Sequence, residues 1–186
     1  MAGLANELTC ICKKYDIPLV KNNTTNTYRI NFNLNNPTID LRTIINFNLY
    51  TFLAKINDDT IESVRLVSKL HERSATFLFL FKSIGQDFGI PKKYMYLQTD
   101  VIQENNNLKY KSKSIPIGDL NVKGYEPITC ESSLIQITMD TYHVADVIYD
   151  FKLDLHEELP IYMKDLPGLM MKKIFYNLKL FIENIK

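Results

Sequence analysis

Several segments of the chain alternate apolar and polar residues, which is the pattern of a β-strand with one buried face. The alternation is complete over 27–34, where Tyr28 and Leu34 begin and end the apolar series. Residues 74–84 are apolar on both faces, and this predicts a central strand that is covered on each side. Further strands are predicted at 92–102, 108–117 and around 135–139.

Four other segments repeat apolar residues at helical spacing, which predicts helices with one buried stripe. We expect the first helix to pack its stripe on the strand that contains Phe77, Phe79 and Phe81. The predicted helices are 38–56, with Leu41, Ile45, Leu49 and Phe52 on its stripe, then 60–71, 144–151 and the C-terminal 169–186.

These elements predict an α+β fold consisting of a single domain, in which a twisted antiparallel sheet packs against helices and a C-terminal amphipathic helix closes the chain. The strand 108–117 is expected at an edge of the sheet, because lysines on an edge strand discourage further pairing. Residues 1–26 are interpreted as an N-terminal arm, and residues 27–186 as the globular domain.

Composition narrows the functional classes. The chain has 186 residues and a formal net charge of +1, so bulk charge argues against a strongly basic nucleic-acid binder. Three cysteines suit a reducing compartment. The N-terminus has no pattern of a signal peptide, and no apolar run is long enough to span a bilayer.

Candidate chemistry is sparse. His143 lies near Asp140 and Asp146, so a general-base role is conceivable, but a histidine that caps the following helix is the simpler interpretation. Cys10 and Cys12 have no further cysteine or histidine at the spacing of a zinc site. We therefore expect no catalytic residue, no metal site, no cofactor and no enzymatic activity.

Charge is distributed unevenly along the chain. Residues 140–165 contain seven acidic and two basic residues, and the expected helix there would present an acidic face to a partner. Residues 92–123 contain six lysines and three acidic residues, which suggests a basic face for an anionic membrane or RNA. The acidic face comprises Asp146, Asp150 and Asp154, and the basic face comprises Lys92, Lys93, Lys109, Lys111, Lys113 and Lys123.

The N-terminal arm contains apolar residues that precede the first predicted strand. Leu4, Leu8 and Ile11 have no obvious partner in the chain, and we expect them to dock on a neighbouring copy. The interpretation is a self-association segment that produces a homo-oligomer.

The order of elements resembles the matrix proteins of rhabdoviruses and related non-segmented negative-strand RNA viruses. The local likenesses are TYRINFNL, FLFLFKSI, KKYMYL and SLIQITMDTYHVADVIYDF. The resemblance implies a non-enzymatic matrix protein that self-associates, binds the inner face of the viral envelope and condenses the nucleocapsid during assembly and budding. The implied partners are other copies, the nucleocapsid, an anionic membrane, and a glycoprotein tail or host factors.

The resemblance places the protein in the virion beneath the envelope, and in the cytoplasm or nucleus of the host cell. The sequence departs from the pattern, since it lacks a long lysine-rich N-terminus and a PPxY motif. The alternative is a virus-encoded protein that interacts with host factors and has no role in assembly.

Overall fold

The computed structural model describes residues 8–45, 48–83 and 90–186. Their main feature is one sheet of ten strands with two helices, α1 (Asn48–Ile56) and α2 (Leu166–Asn184). The strands are β1 (Leu8–Cys12), β2 (Leu19–Asn22), β3 (Thr27–Asn35), β4 (Ile61–His71), β5 (Ser74–Phe81), β6 (Lys93–Glu104), β7 (Asn107–Ser114), β8 (Glu126–Pro127), β9 (Thr129–Met139) and β10 (Val144–Asp154).

The strands lie in the order β1-β2-β3-β10-β9-β7-β6-β5-β4. All neighbours in this order are antiparallel, and the short β8 pairs in parallel with β6. The hydrogen bonds between β3 and β10 join the early and late parts of the chain. The expected α+β class, with a single domain, an antiparallel sheet and a C-terminal helix, is confirmed.

One face of the sheet, here called the inner face, packs against α1 and α2. On β3, Tyr28, Ile30, Phe32 and Leu34 are buried while the residues between them are exposed or half-buried, as their alternation predicts. Phe32 lies 6.3 Å, centroid to centroid, from Phe175 of α2. The strand predicted to be covered on both faces is also confirmed, because every residue of β5 is buried.

Two predicted helices are strands in the structure. Residues 144–151 belong to β10, whose buried residues alternate from Ala145 to Leu153. The helical interpretation was wrong because Val144 and Ile148 lie on the outer face and only mimic a helical stripe. Residues 60–71 contain β4, where three irregularities in the pairing with β5 interrupt the simple alternation.

The predicted helix 38–56 is shorter than expected. A 3-10 turn covers Leu41–Thr43, and α1 begins at Asn48. Leu41, Ile45 and Leu49 are buried as expected, but Phe52 is only half-buried. Its ring faces Phe181 of α2 at 6.3 Å instead of the sheet.

Tyr50 is the aromatic residue of α1 that contacts the sheet. Its ring lies 4.8 Å from that of Phe77 and 5.4 Å from that of Phe79, both centroid to centroid.

The strand β7 is not an edge strand. It lies between β6 and β9, and Lys111 is paired in register with Asp100 of β6. The lysines of β7 project from the outer face of the sheet. They alternate with inward residues because this face is in contact with solvent, and not because the strand has an unpaired edge. The edge strands among the described residues are β1 and β4.

The expected N-terminal arm contributes two strands to the sheet, since β1 and β2 lie within residues 8–22. Leu8 is 67% exposed, whereas Ile11 packs partly against the core. Leu4 lies outside the described residues, and the role of the three residues in self-association stays a prediction.

Phe52 and Leu53, which are neighbours in α1, test which side of this helix packs against the core. Replacing buried Leu53 by alanine should reduce the free energy of unfolding by about 2–5 kcal/mol, because it leaves a cavity in the core. The Phe52→Ala variant should lose only about 1–2 kcal/mol, since its ring is half-buried and its aromatic pair contributes about 0.5–1.5 kcal/mol. Urea unfolding of both variants measures the difference, and equal losses would contradict the assigned helix face.

The first turn of α2 provides a second test, through Asp165. Its carboxylate accepts hydrogen bonds from Lys21 Nζ and Tyr28 Oη, both at 2.9 Å. Burial raises the pKa of Asp165, but the hydrogen bonds from Lys21 and Tyr28 and the charges of Lys21 and Lys164 outweigh it, so the pKa is lowered overall. The ionised form therefore stabilises the fold above the unfolded pKa of about 4, and this contribution is lost as the pH falls through the folded pKa.

We expect the wild type to lose stability more steeply than Asp165→Asn between about pH 5 and pH 3. Urea midpoints measured across this range compare the two proteins, and the other carboxylates are common to both. Parallel curves would show that Asp165 is not coupled to folding.

Candidate functional site

The interior between the sheet and the two helices contains a small cavity of about 30 Å³. Tyr50 and Leu53 of α1 form one wall, and residues of α2 form another. No charged side chain among the described residues lines it. The remaining lining residues are Ile61, Phe79, Phe81, Met95, Leu97, Ser133, Ile135, Tyr149, Met171, Ile174 and Phe175.

Hydroxyl groups are buried on the inner face around this cavity. Three of them form a row across adjacent strands, because Thr99 of β6 is paired in register with Ser112 of β7, and Ser112 is paired with Ser133 of β9. The Oγ of Ser112 lies 2.8 Å from Thr99 Oγ1 and 3.2 Å from Tyr50 Oη. Ser133 Oγ donates to Tyr149 Oη at 3.4 Å.

Tyr110 differs from these residues because its hydroxyl has no hydrogen-bond partner within the described part of the chain. The residue is completely buried, and its ring lies 6.2 Å from that of Tyr50, centroid to centroid. Buried polar groups in folded proteins are nearly always paired, and an unpaired one costs about 1–3 kcal/mol. Tyr110 is therefore the buried side chain whose hydrogen bonding the described residues do not satisfy.

Among the described residues, the tyrosines and the cysteine buried in the interior are not activated as nucleophiles. Burial raises the pKa values of Tyr50, Tyr110 and Tyr149. Burial, and secondly the charge of Glu131, raise the pKa of the Cys130 thiol to about 12. These groups stay protonated near neutral pH, so they can donate and accept hydrogen bonds but do not supply a thiolate or phenolate.

Two lysines are buried at the borders of the interior. Lys93 is 0% exposed, and its Nζ binds the carboxylates of Glu126 and Glu157 and the carbonyl of Leu155. It therefore cannot belong to an exposed basic face. Lys172 of α2 donates to the backbone carbonyls of Lys14 and Ile17.

The other lysines of the predicted basic face lie at the surface. Lys109, Lys111 and Lys113 share the outer face of β7, with Lys109 half-buried and 3.4 Å from Glu104. Lys92 pairs with Glu62 at 2.9 Å, and Lys123 is exposed in the loop before β8. The trio on β7 is thus brought together, and Lys93 is separated from it by burial.

The predicted acidic residues lie on the outer face of β10 instead of a helix. Asp150 accepts hydrogen bonds from Arg29 at 2.6 and 2.9 Å, and Asp146 accepts one from Asn33 at 3.0 Å. Asp154 lies at the end of the strand and accepts a bond from the backbone N–H of His156. Asp146 and Asp150 therefore support the pairing of β3 with β10, and a role of the three residues in binding a partner stays a prediction.

The predicted general base makes a structural contact. His143 donates from Nδ1 to the carbonyl of Ile39 at 2.8 Å, and within the described residues it forms no ion pair with Asp140 or Asp146. No group of three or more histidine, cysteine or acidic residues in the described ranges is placed to hold a metal ion. No described helix is long and apolar enough to cross a membrane.

Two larger cavities open at the surface, at opposite sides of the inner region. One of about 390 Å³ lies beside the β6–β7 and β9–β10 turns, with Ile45, Leu108 and Met139 as its apolar part. The other, of about 320 Å³, lies beside the segment before α2 and is lined by several lysines and acidic residues, including Lys21, Lys152 and Glu157. Neither contains an unpaired buried polar group comparable with Tyr110 among the described residues.

Sequence reasoning missed the buried hydroxyls. A signal was present, because Thr99 lies between Leu97 and Val101 in the alternation of β6. Ser112 and Ser133 each have one apolar neighbour two residues away on the same face, Tyr110 and Ile135. The contact between Tyr50 and Ser112 joins α1 to a distant strand, and no local pattern indicates it.

Comparison with protein-family models and with curated protein sequences gives no match. Solved structures do match. The human StarD13 lipid transfer and protein localization domain has a TM-score of 0.78 at 9% identity, covering 96% of this chain and 90% of that chain. Human StAR-related lipid transfer protein 5 has a TM-score of 0.74 at 9% identity, with coverages of 96% and 88%. A STAR-related lipid transfer protein from Xanthomonas axonopodis has a TM-score of 0.68 at 11% identity, with coverages of 96% and 97%.

These matches overturn the resemblance to viral matrix proteins. The expected function in virion assembly, membrane coating and budding is therefore wrong, because the chain shares its architecture with a different group of proteins. At such low identity the likeness concerns the fold alone. The chain has the fold of StAR-related lipid transfer domains, with a large antiparallel sheet and a C-terminal helix packed on its inner face.

Proposed function

We propose that this protein binds a small lipid between the inner face of its sheet and helix α2. The observation that carries the proposal is the apolar cavity enclosed by these elements. The fold supports it, since the matching structures are those of lipid transfer proteins or domains. Ligand sites in proteins are typically apolar concavities with a few polar groups, and the interior has this character.

The composition of the cavity wall favours an apolar ligand. Phe79, Leu97, Ile135 and Phe175 contribute rings and aliphatic groups, and the polar contribution is limited to hydroxyls. Transfer of apolar ligand surface from water to such a wall gains roughly 25 cal/mol per Å². A phosphate or carboxylate would instead lose its hydration without gaining an ionic partner there.

The volume sets a condition on binding. About 30 Å³ corresponds to the space of roughly one water molecule. A lipid therefore occupies the interior only in a second conformation, in which the helices and the sheet lie farther apart. Ligand binding shifts the population towards that conformation to the extent that the ligand binds it better.

The small volume also favours a second candidate, a scaffold that binds other proteins through its surface and takes no ligand. A closely packed interior is what such a scaffold requires. The two candidates differ in one measurable property, because only the first takes up lipid from vesicles.

The Ile135→Trp variant tests the first candidate. Ile135 lines the cavity and is 3% exposed, so a larger ring there fills the space that a ligand needs. We expect wild-type protein incubated with lipid vesicles to retain lipid in native mass spectrometry, and Ile135→Trp to retain about tenfold less, a difference of about 1.4 kcal/mol.

The matched control is Ile148→Trp, which places the same ring on the outer face of β10, where Ile148 is 37% exposed. It should retain as much lipid as the wild type. If Ile135→Trp proves unfolded by circular dichroism, Leu97→Phe adds less volume to the same wall. Absence of lipid from the wild type after incubation would reject the proposal and favour the scaffold.

A further inference from the structure

The row of hydroxyl groups on the inner face is unusual for an interior that is otherwise apolar. Thr99, Ser112 and Ser133 lie on inward positions of three adjacent strands, where apolar residues would pack without any need for partners. Tyr50 and Tyr149 reach this row from α1 and β10. The row therefore brings hydrogen-bonding capacity into the centre of the fold.

The three hydroxyls of the row and those of Tyr50 and Tyr149 are hydrogen-bonded within this group, at distances of 2.8 to 3.4 Å. The sixth, Tyr110, lies on β7 two residues before Ser112 and is left without a partner within the described residues. Its register partner on β9 is Ile135, which lines the cavity. Tyr110 is thus a direct neighbour of the cavity wall, to which it is connected through Ile135 and through the ring of Tyr50.

The charges around the interior restrict what can meet this hydroxyl. Lys93 is the fully buried cation, and two carboxylates and a carbonyl already surround its amino group. Lys172 is bound to two backbone carbonyls. Neither lysine lines the cavity, so a carboxylate or phosphate there would have no ionic partner among the described residues, and a buried anion without a partner is very costly.

We infer that the ligand is a neutral lipid with one hydroxyl or carbonyl group, which forms a hydrogen bond with Tyr110. The inference rests on the proposed function, and it specifies the chemical class of the ligand. Fatty alcohols, sterols and acylglycerols belong to this class, whereas fatty acids and phospholipids would have to bury a charge. The phenol hydroxyl can donate or accept, so it suits either a carbonyl or a hydroxyl.

Three probes of equal chain length test this class: hexadecanol, hexadecane and hexadecanoic acid, each delivered from cyclodextrin to the full chain. Wild-type protein should bind hexadecanol about tenfold more tightly than either other probe, as expected for one buried hydrogen bond. Tyr110→Phe removes the hydroxyl and keeps the ring, so it should bind hexadecanol and hexadecane with equal affinity.

Tyr110→Phe should weaken the binding of hexadecanol but stabilise the ligand-free protein. Removing an unpaired buried hydroxyl should raise Tm by about 2–4 °C, because the phenylalanine has no polar group to desolvate. A residue that merely supports the fold would lower Tm when truncated. Tyr96→Phe is the matched control, since its half-buried hydroxyl has a partner in Thr76, and it should leave the probe preference unchanged.

The outcomes separate the inference from the proposed function. If the wild type binds none of the probes and takes up no lipid from vesicles, the proposed function fails. If it binds all probes equally or prefers the acid, lipid binding stands and the inferred class is wrong. If it keeps its preference for hexadecanol in Tyr110→Phe, the class stands and the inferred hydrogen bond to Tyr110 is wrong. A bound water that satisfies Tyr110 would produce the last of these results together with a lower Tm in the variant.

Discussion

The attachment of helix α2 to the sheet is the constraint on which the interior depends. At its first turn, Asp165 accepts a hydrogen bond from Lys21. In its middle, Asn57 donates to the carbonyl of Ile174, and at its end Asn36 donates to the carbonyls of Ile182 and Ile185. Asn36 and Asn57 are completely buried, so a shift of the helix would leave their amide groups desolvated and unpaired. The free-energy cost of such unpaired groups exceeds the net stabilisation that the hydrogen bonds provide.

Strands with regular alternation could be predicted from the sequence, because burial on one face leaves a direct record in the chain. The segment 27–34 shows this clearly. The strand β10 could not be recognised, since Val144 and Ile148 are apolar residues on its outer face and complete a helical stripe with inward Val147 and Phe151. In β4 the irregular pairing with β5 removed the alternation itself. Both failures arise where tertiary pairing overrides the local periodicity.

The candidate site was much less predictable than the fold. A buried lysine such as Lys93 looks like a surface lysine in the sequence, and its partners Glu126 and Glu157 are 33 and 64 residues away. Polar residues at inward positions, such as Ser112, were visible as exceptions to alternation, but their significance depends on Tyr50 reaching them from α1. Of the charges that suggested a membrane-coating protein, the lysines of β7 lie on the outer face of the sheet, away from these contacts.

The polar contacts also show that the two helices are attached to the sheet to different extents. Moving α2 away from the sheet breaks the bonds of Lys21, Asn36, Lys172 and Lys179 to residues or carbonyls on the other side. Among the contacts described between α1 and the sheet, the side-chain hydrogen bond is that of Tyr50 to Ser112. The helices also differ in length, since α1 has nine residues and α2 has nineteen. Displacement of α1 would break fewer side-chain hydrogen bonds to the sheet than displacement of α2. Asn57, directly after α1, is however bonded to Ile174 and Asn177 of α2, so the two helices are held together at that point.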